Sequence, residues 1–200
     1  MFVDFLTLML ANMGAALFLL ALYFAFFIEK DPKKAVPGFL LTGGIALVTG
    51  FAMSLTWPLP GSYNILFGEP TVLLGAVFFM AGLALNFGWS MLTVGIFALG
   101  SGAVAILLGI RVLNLNLTSE ALVAGLGYLF AGAAGVLTLP AVAFPRMKII
   151  RWVAAIVALI GAGIWVFVGF GAYWDHIKNF GTWKPDTMFR IPPPAAPAAQ

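Results

Sequence analysis

Residues 3–34 read VDFLTLMLANMGAALFLLALYFAFFI followed by EKDPKK, a long apolar run stopped abruptly by a charged, proline-containing turn. A hydrocarbon slab about 30 Å thick needs about 20 mostly apolar residues in a helix, so residues 3–28 are long enough to cross one. The run is continuous and does not alternate, which favours a helix over a barrel strand. It carries Asp4 before its apolar part and has no positive leading region. It is also too long for the apolar core of a signal peptide, so it reads as a retained span.

Working outward, the same pattern recurs five times. Residues 36–57 form a second apolar block that ends in Pro58-Leu59-Pro60-Gly61. A polar stretch through Ser62, Tyr63 and Asn64 leads to Glu69-Pro70. Proline is pre-set for a first helical position and Glu69 suits the positive end of a helix dipole, so the third span is expected to start at Pro70 and run to about Trp89. The fourth, residues 91–110, follows after a very short turn. Residues 111–120 read as a loop, and Thr118 or Ser119 with Glu120 makes a helix start. The fifth span, residues 121–144, is closed by Pro145-Arg146-Met147-Lys148, and the sixth runs over residues 149–174. The expected fold is an all-α integral membrane protein: a six-transmembrane-helix bundle over residues 1–174, then an extramembrane, proline-rich tail over 175–200.

Composition points the same way. Of 200 residues, 62% are hydrophobic and only 8% charged, with a mean hydropathy of +1.07. A soluble domain carries roughly 25% charged residues. This chain has too few charges to cover a water-facing surface, and lipid is its expected solvent and first partner. Nucleic-acid binding, a dinucleotide-binding enzyme and a disulfide scaffold are disfavoured together, the last because the chain has no cysteine. Ten Lys and Arg against seven Asp and Glu is a small excess of the kind that encodes orientation. Lys30, Lys33 and Lys34 sit between spans one and two, and Arg146 and Lys148, with Arg151 nearby, between five and six. Placing those loops in the cytoplasm puts both termini on the outer side.

Within the membrane, small residues let helix backbones approach closely. Gly127, Ala131 and Gly135 recur every four residues in span five, and Gly95, Gly102 and Gly109 every seven in span four. Trp57, Trp89 and Trp174 fall near span ends, where indoles prefer the headgroup layer.

Ionisable groups inside an apolar span are functional candidates by default. Here Asp4, Glu29, Glu69, Glu120 and Asp175 all map to span ends, so a proton relay lacks a carrier. His176 is the single histidine and reads as a surface residue; a pair of axial haem ligands would need two. Carboxylates and histidine do not fall at metal-ligand spacing. No phosphate loop, nucleophile elbow or metalloprotease signature is present. The expectation is a protein without catalytic residues, metal or cofactor.

Uncharged polar residues are the remaining candidates. Asn12 lies in span one, Thr42 and Thr49 in span two, Asn86 near the end of span three, and Tyr128 and Thr138 in span five. Thr42 and Thr49 are seven apart and share a face. They bond either between helices or to their own helix carbonyls, or they line a narrow path for a neutral solute. The segment 57–70 mixes Trp57, Tyr63 and Phe67 with rigid turn residues. It is expected to fold over the outer face, and Trp57, Tyr63, Asn64 and Glu69 are candidates for a vestibule.

Two resemblances rest on these stretches. The opening from Asp4 to Met13, with the Trp57–Pro70 stretch, resembles a domain-of-unknown-function family of small prokaryotic membrane proteins, which implies a prokaryotic cell membrane and no activity. More distantly, the chain is similar to the urea and amide channels. The similar parts are the Asp31-Pro32-Lys33 turn, the Gly43-Gly44 pair, Gly68-Glu69-Pro70, Phe78 and Asn86, within residues 14–89. That resemblance implies six spans with outer termini, a ring-shaped homo-oligomer and Phe78 in the pore lining. It departs from the channels where they place aromatic constrictions: Met80 and Gly82 stand in span three, and Gly125-Leu126-Gly127-Tyr128-Leu129-Phe130 contains no tryptophan.

Two functions follow as expectations. One is a passive channel for a small neutral or weakly ionised solute, lined by Asn12, Thr42, Thr49, Phe78 and Asn86. The other is a non-catalytic accessory subunit of a larger membrane complex, with the aromatic and proline-rich tail laid as an arm on a partner.

Overall fold

The computed structural model describes residues 5–178 and 181. Asp4 and nearly all of the proline-rich tail lie outside the described residues. The first helix, α1 (Leu6–Leu22), continues into one π-helical turn, Tyr23–Phe27, whose closing bond runs from the Ile28 N–H to the Tyr23 carbonyl at 2.9 Å. A short 3-10 turn, Pro32–Ala35, leads into α2 (Val36–Thr56). The remaining helices are α3 (Tyr63–Phe87), α4 (Leu92–Leu115), α5 (Ala121–Ala143) and α6 (Lys148–Lys178). Among the described residues, six helices are long and apolar enough to cross a membrane.

The third helix departs from the sequence expectation. It starts at Tyr63, seven residues before Pro70, which becomes an interior residue. The cause is Asn64, whose side chain is fully buried. Its amide Oδ1 accepts from the Leu59 N–H at 2.9 Å, and its Nδ2 donates to the Leu59 carbonyl at 2.6 Å. That two-way bond closes the Pro58–Ser62 turn tightly enough for the helix to begin at once. A proline inside a helix cannot donate to the carbonyl four residues back, here that of Leu66. The Tyr128 hydroxyl on α5 donates to that carbonyl at 2.7 Å.

At its other end α2 stops at Trp57, which holds a left-handed conformation (φ 50°) ahead of Pro58. A Cβ in that region costs roughly 1–2 kcal/mol, so the turn that follows imposes it. The last helix extends to Lys178, four residues past the expected end of the bundle.

Each helix packs on its successor and α6 returns to α1, so the six form a ring in sequence order. Glycines make the closest seams. Gly43 and Gly50 of α2 lie against the backbones of Phe79 and Val72 of α3. Gly102 of α4 lies so near α5 that a Cβ there would sit 2.5 Å from the Gly132 carbonyl oxygen. Gly14 of α1 and Gly169 of α6 meet Val166 and Ala11, which fixes that pair as antiparallel. The α5 small-residue run does not act as one face. Gly127 lies under Trp165 of α6, while Gly135 faces Ala98 and Gly102 of α4. Eight residues at 3.6 per turn leave two positions about 80° apart, enough to serve two neighbours.

The outer surface is apolar. Leu41, Val48 and Leu55 of α2, Ile96 and Leu107 of α4, and Phe167 and Phe170 of α6 are exposed. A patch that extensive marks contact with lipid or another protein. Trp57, Trp89 and Trp174 are exposed at helix ends.

Candidate functional site

Inside the ring lies a cavity of about 60 Å³, lined by residues of α1 to α5. It is elongated along the helices, touching α3 from Pro70 to Ala81 and α4 from Met91 to Ala105. At 1.5 Å per residue that is about 15 to 20 Å of helix. Most of its wall is aliphatic and aromatic: Leu17 and Leu20 of α1, Phe39 of α2, Leu74 and Phe78 of α3.

Four hydroxyl-bearing side chains also reach the wall, and three have their protons committed. Ser101 donates to the Phe97 carbonyl at 2.9 Å and Thr138 to the Ala134 carbonyl at 2.8 Å, both within their own helices. Tyr128 donates to Leu66 as described. The fourth is Tyr23, which opens the π turn and is 97% buried, being 3% exposed. Its ring meets Phe39 edge-on at 5.4 Å and leans on Phe24 at 5.5 Å. Its hydroxyl makes no hydrogen bond among the described residues.

Of the five residues expected to line a path, the structure brings Phe78 to the cavity, where it packs edge-on against Phe39 at 5.2 Å. Asn12, Thr42 and Thr49 are buried elsewhere. Asn12 Nδ2 donates across to the Thr42 carbonyl at 2.9 Å, tying α1 to α2. The Thr42 hydroxyl donates to Gly38 and the Thr49 hydroxyl to Ile45, each at 2.8 Å. Asn86 is exposed in the last turn of α3.

The four vestibule candidates separate likewise. Tyr63 and Asn64 are buried, and the Tyr63 hydroxyl donates to the Leu117 carbonyl at 2.6 Å, joining the α2–α3 and α4–α5 connections. Trp57 and Glu69 are exposed. Sequence reading leaves out Tyr23, because a tyrosine six residues before a charged turn looks like an interfacial anchor. It also leaves out Ser101, whose neighbourhood of glycines reads as packing.

At the lysine-rich end, Arg151 is buried, and its guanidinium forms an ion pair with Glu29 and donates to the Pro145 carbonyl at 3.2 Å. Glu29 is held below the usual carboxylate range, first by its hydrogen bond from Arg151 and further by the charges of Arg151, Lys148 and Lys30, against some desolvation. At the opposite end His176 Nδ1 and the Thr7 hydroxyl lie 3.0 Å apart, joining the end of α6 to the start of α1. Among the described residues, no three of His, Asp and Glu gather at metal-binding distance.

The chain matches a family described as proteins of unknown function (DUF981) over residues 1–179. No curated protein and no solved structure matches it. The family expectation holds, and the resemblance to urea and amide channels gains no support from these comparisons.

Proposed function

The chain belongs to the DUF981 family over nearly its whole length, and from its geometry we propose that it is a multi-pass membrane protein whose helix ring carries a passive path for a small neutral or weakly ionised solute. The observation that carries this reading is the elongated cavity on the inner side of the ring. A wall this apolar penalises ions heavily, because a charge taken from water without a partner loses several kcal/mol or more of solvation. A neutral solute faces a much lower barrier. Size narrows the class further: a cavity of about 150 Å³ takes benzene, so about 60 Å³ leaves room for about two or three non-hydrogen atoms. Lipid chains and sugars are too large for that space without helix movement.

In this reading both termini lie on the outer side of a prokaryotic cell membrane, an orientation that the lysine-rich loops support under the positive-inside rule. Vesicles containing the purified chain test the reading by light-scattering uptake of urea, short amides, ammonia and acetate. Faster uptake of at least one than in empty liposomes is expected; equal uptake of all four removes the channel.

A second reading, the accessory subunit, is favoured by one observation. Phe167, Phe170, Trp174 and Ile177 form an exposed apolar stripe on α6, at spacings that align on one helix face. Native mass analysis from mild detergent separates the cases. A co-purifying protein supports a subunit, and a ring of identical chains supports a channel oligomer.

A further inference from the structure

Tyr23 brings to the cavity a polar proton with no partner among the described residues. Buried tyrosines usually find a partner for the hydroxyl, as Tyr63 and Tyr128 do here. Its ring neighbours do not supply one: Phe24 and Phe39 have no acceptor beyond their ring faces, and Met91, Val94 and Ala81, also on the cavity wall, are apolar. Ser101 and Thr138 have turned their protons into their own helices, so each offers only oxygen lone pairs. With Tyr128, whose proton is also committed, the wall therefore presents one free donor and three weak acceptors in an apolar space for about two or three heavy atoms.

We propose that this cavity is a binding station for a small neutral molecule with an apolar body and one hydrogen-bond acceptor, held by the Tyr23 hydroxyl. Small nitriles, aldehydes and alcohols have the required chemistry; ethane has the size without the acceptor, and acetate has an acceptor with an unaffordable charge. This deepens the channel reading and rests on it for flux, although binding can be measured without flux.

The test uses the full chain in lipid nanodiscs, with its four tyrosines labelled with ¹³C at the ring carbon bearing oxygen. Tyr23→Phe assigns the Tyr23 signal, and the exposed Tyr173 reports solute merely dissolved in lipid. Titration with acetonitrile is expected to shift the Tyr23 signal to saturation while Tyr173 drifts linearly, and ethane is expected to leave the Tyr23 signal without that shift. In vesicles, Tyr23→Phe is expected to lower acetonitrile permeability about five-fold, the equivalent of about 1 kcal/mol for one hydrogen bond. A Tyr23 signal that responds to neither acetonitrile nor methanol overturns the proposal, as does an equal response to ethane. Saturable binding without flux above empty liposomes keeps the station and removes the channel. Flux that Tyr23→Phe leaves unchanged, with no saturable shift, keeps the channel and removes the station.

Discussion

The Tyr128 hydroxyl donates to the Leu66 carbonyl at 2.7 Å, taking the place of the N–H that Pro70, four residues on, cannot supply. A proline in a helix interior costs about 3 kcal/mol, partly for that lost bond. The defect on α3 is thus repaired from α5, and the repair joins two helices that are not neighbours in the ring. Tyr128 is held for this by Trp165, which meets its ring edge-on at 5.3 Å while donating to the Gly127 carbonyl at 3.0 Å.

Tyr128→Phe should therefore destabilise the bundle by about 1–3 kcal/mol, the range for an orphaned buried acceptor. Pro70→Ala returns an N–H to Leu66, so in the Tyr128→Phe background it should recover most of that loss. The two substitutions are then non-additive. Denaturant titration of the four proteins in mild detergent measures the cycle. Additive effects would mean that proline and tyrosine act independently.

The glycine seams predict sharp differences between nearby positions. Gly102→Ala sets a Cβ against the Gly132 carbonyl and the Val136 backbone, neither of which can turn aside as a side chain can. It should cost about 1–3 kcal/mol, as overpacking does, and loosen the α4–α5 pair. Gly100→Ala, with nothing within 4 Å, should be neutral or stabilising by up to about 1 kcal/mol, because alanine is the better helix former. Thermal unfolding of both variants in one detergent checks the contrast, and equal midpoints would discard it.

Six apolar blocks, their charged stops and their tryptophan ends are legible in this chain because span length and hydropathy are one-dimensional properties. The start of α3 is not. Glu69-Pro70 carries a strong helix-start signal, but the tertiary bonds of Asn64 and Tyr128 override it. The cavity is less legible still. Thr42 and Thr49 share a face, yet in apolar surroundings a threonine satisfies itself by bonding its own helix. Tyr23 and Ser101 come to line one cavity only once the π turn and α4 are packed into the same ring.

Acid should loosen the lysine-rich end. The folded state holds the Glu29 carboxyl below its usual range, so the Glu29–Arg151 contact contributes its full stability above the ordinary carboxylate pKa. That contribution is lost as pH falls through the lowered folded value. Glu29→Gln should remove the acid-dependent step and lower stability at neutral pH, since Arg151 is buried and would lose its counter-charge. Unfolding midpoints from pH 7 down to pH 3 should converge for the two proteins. Curves that stay parallel would assign the acid response to another group.

The path itself separates Phe78 from the threonines. Phe78 is 3% exposed and walls the cavity, so Phe78→Ala should enlarge the space while costing about 3–5 kcal/mol in lost packing. Solute flux through the proposed path should rise and its size limit should relax. Thr42→Val and Thr49→Val remove hydroxyls that bond their own helices and do not reach the wall. They should change flux less than two-fold and stability by less than about 1.5 kcal/mol, the range of one net hydrogen bond. Comparing uptake of a two-carbon and a four-carbon amide in vesicles made from each variant gives both readouts at once. If the threonine variants shift selectivity and Phe78→Ala does not, the solute travels between α1 and α2 rather than through the central cavity.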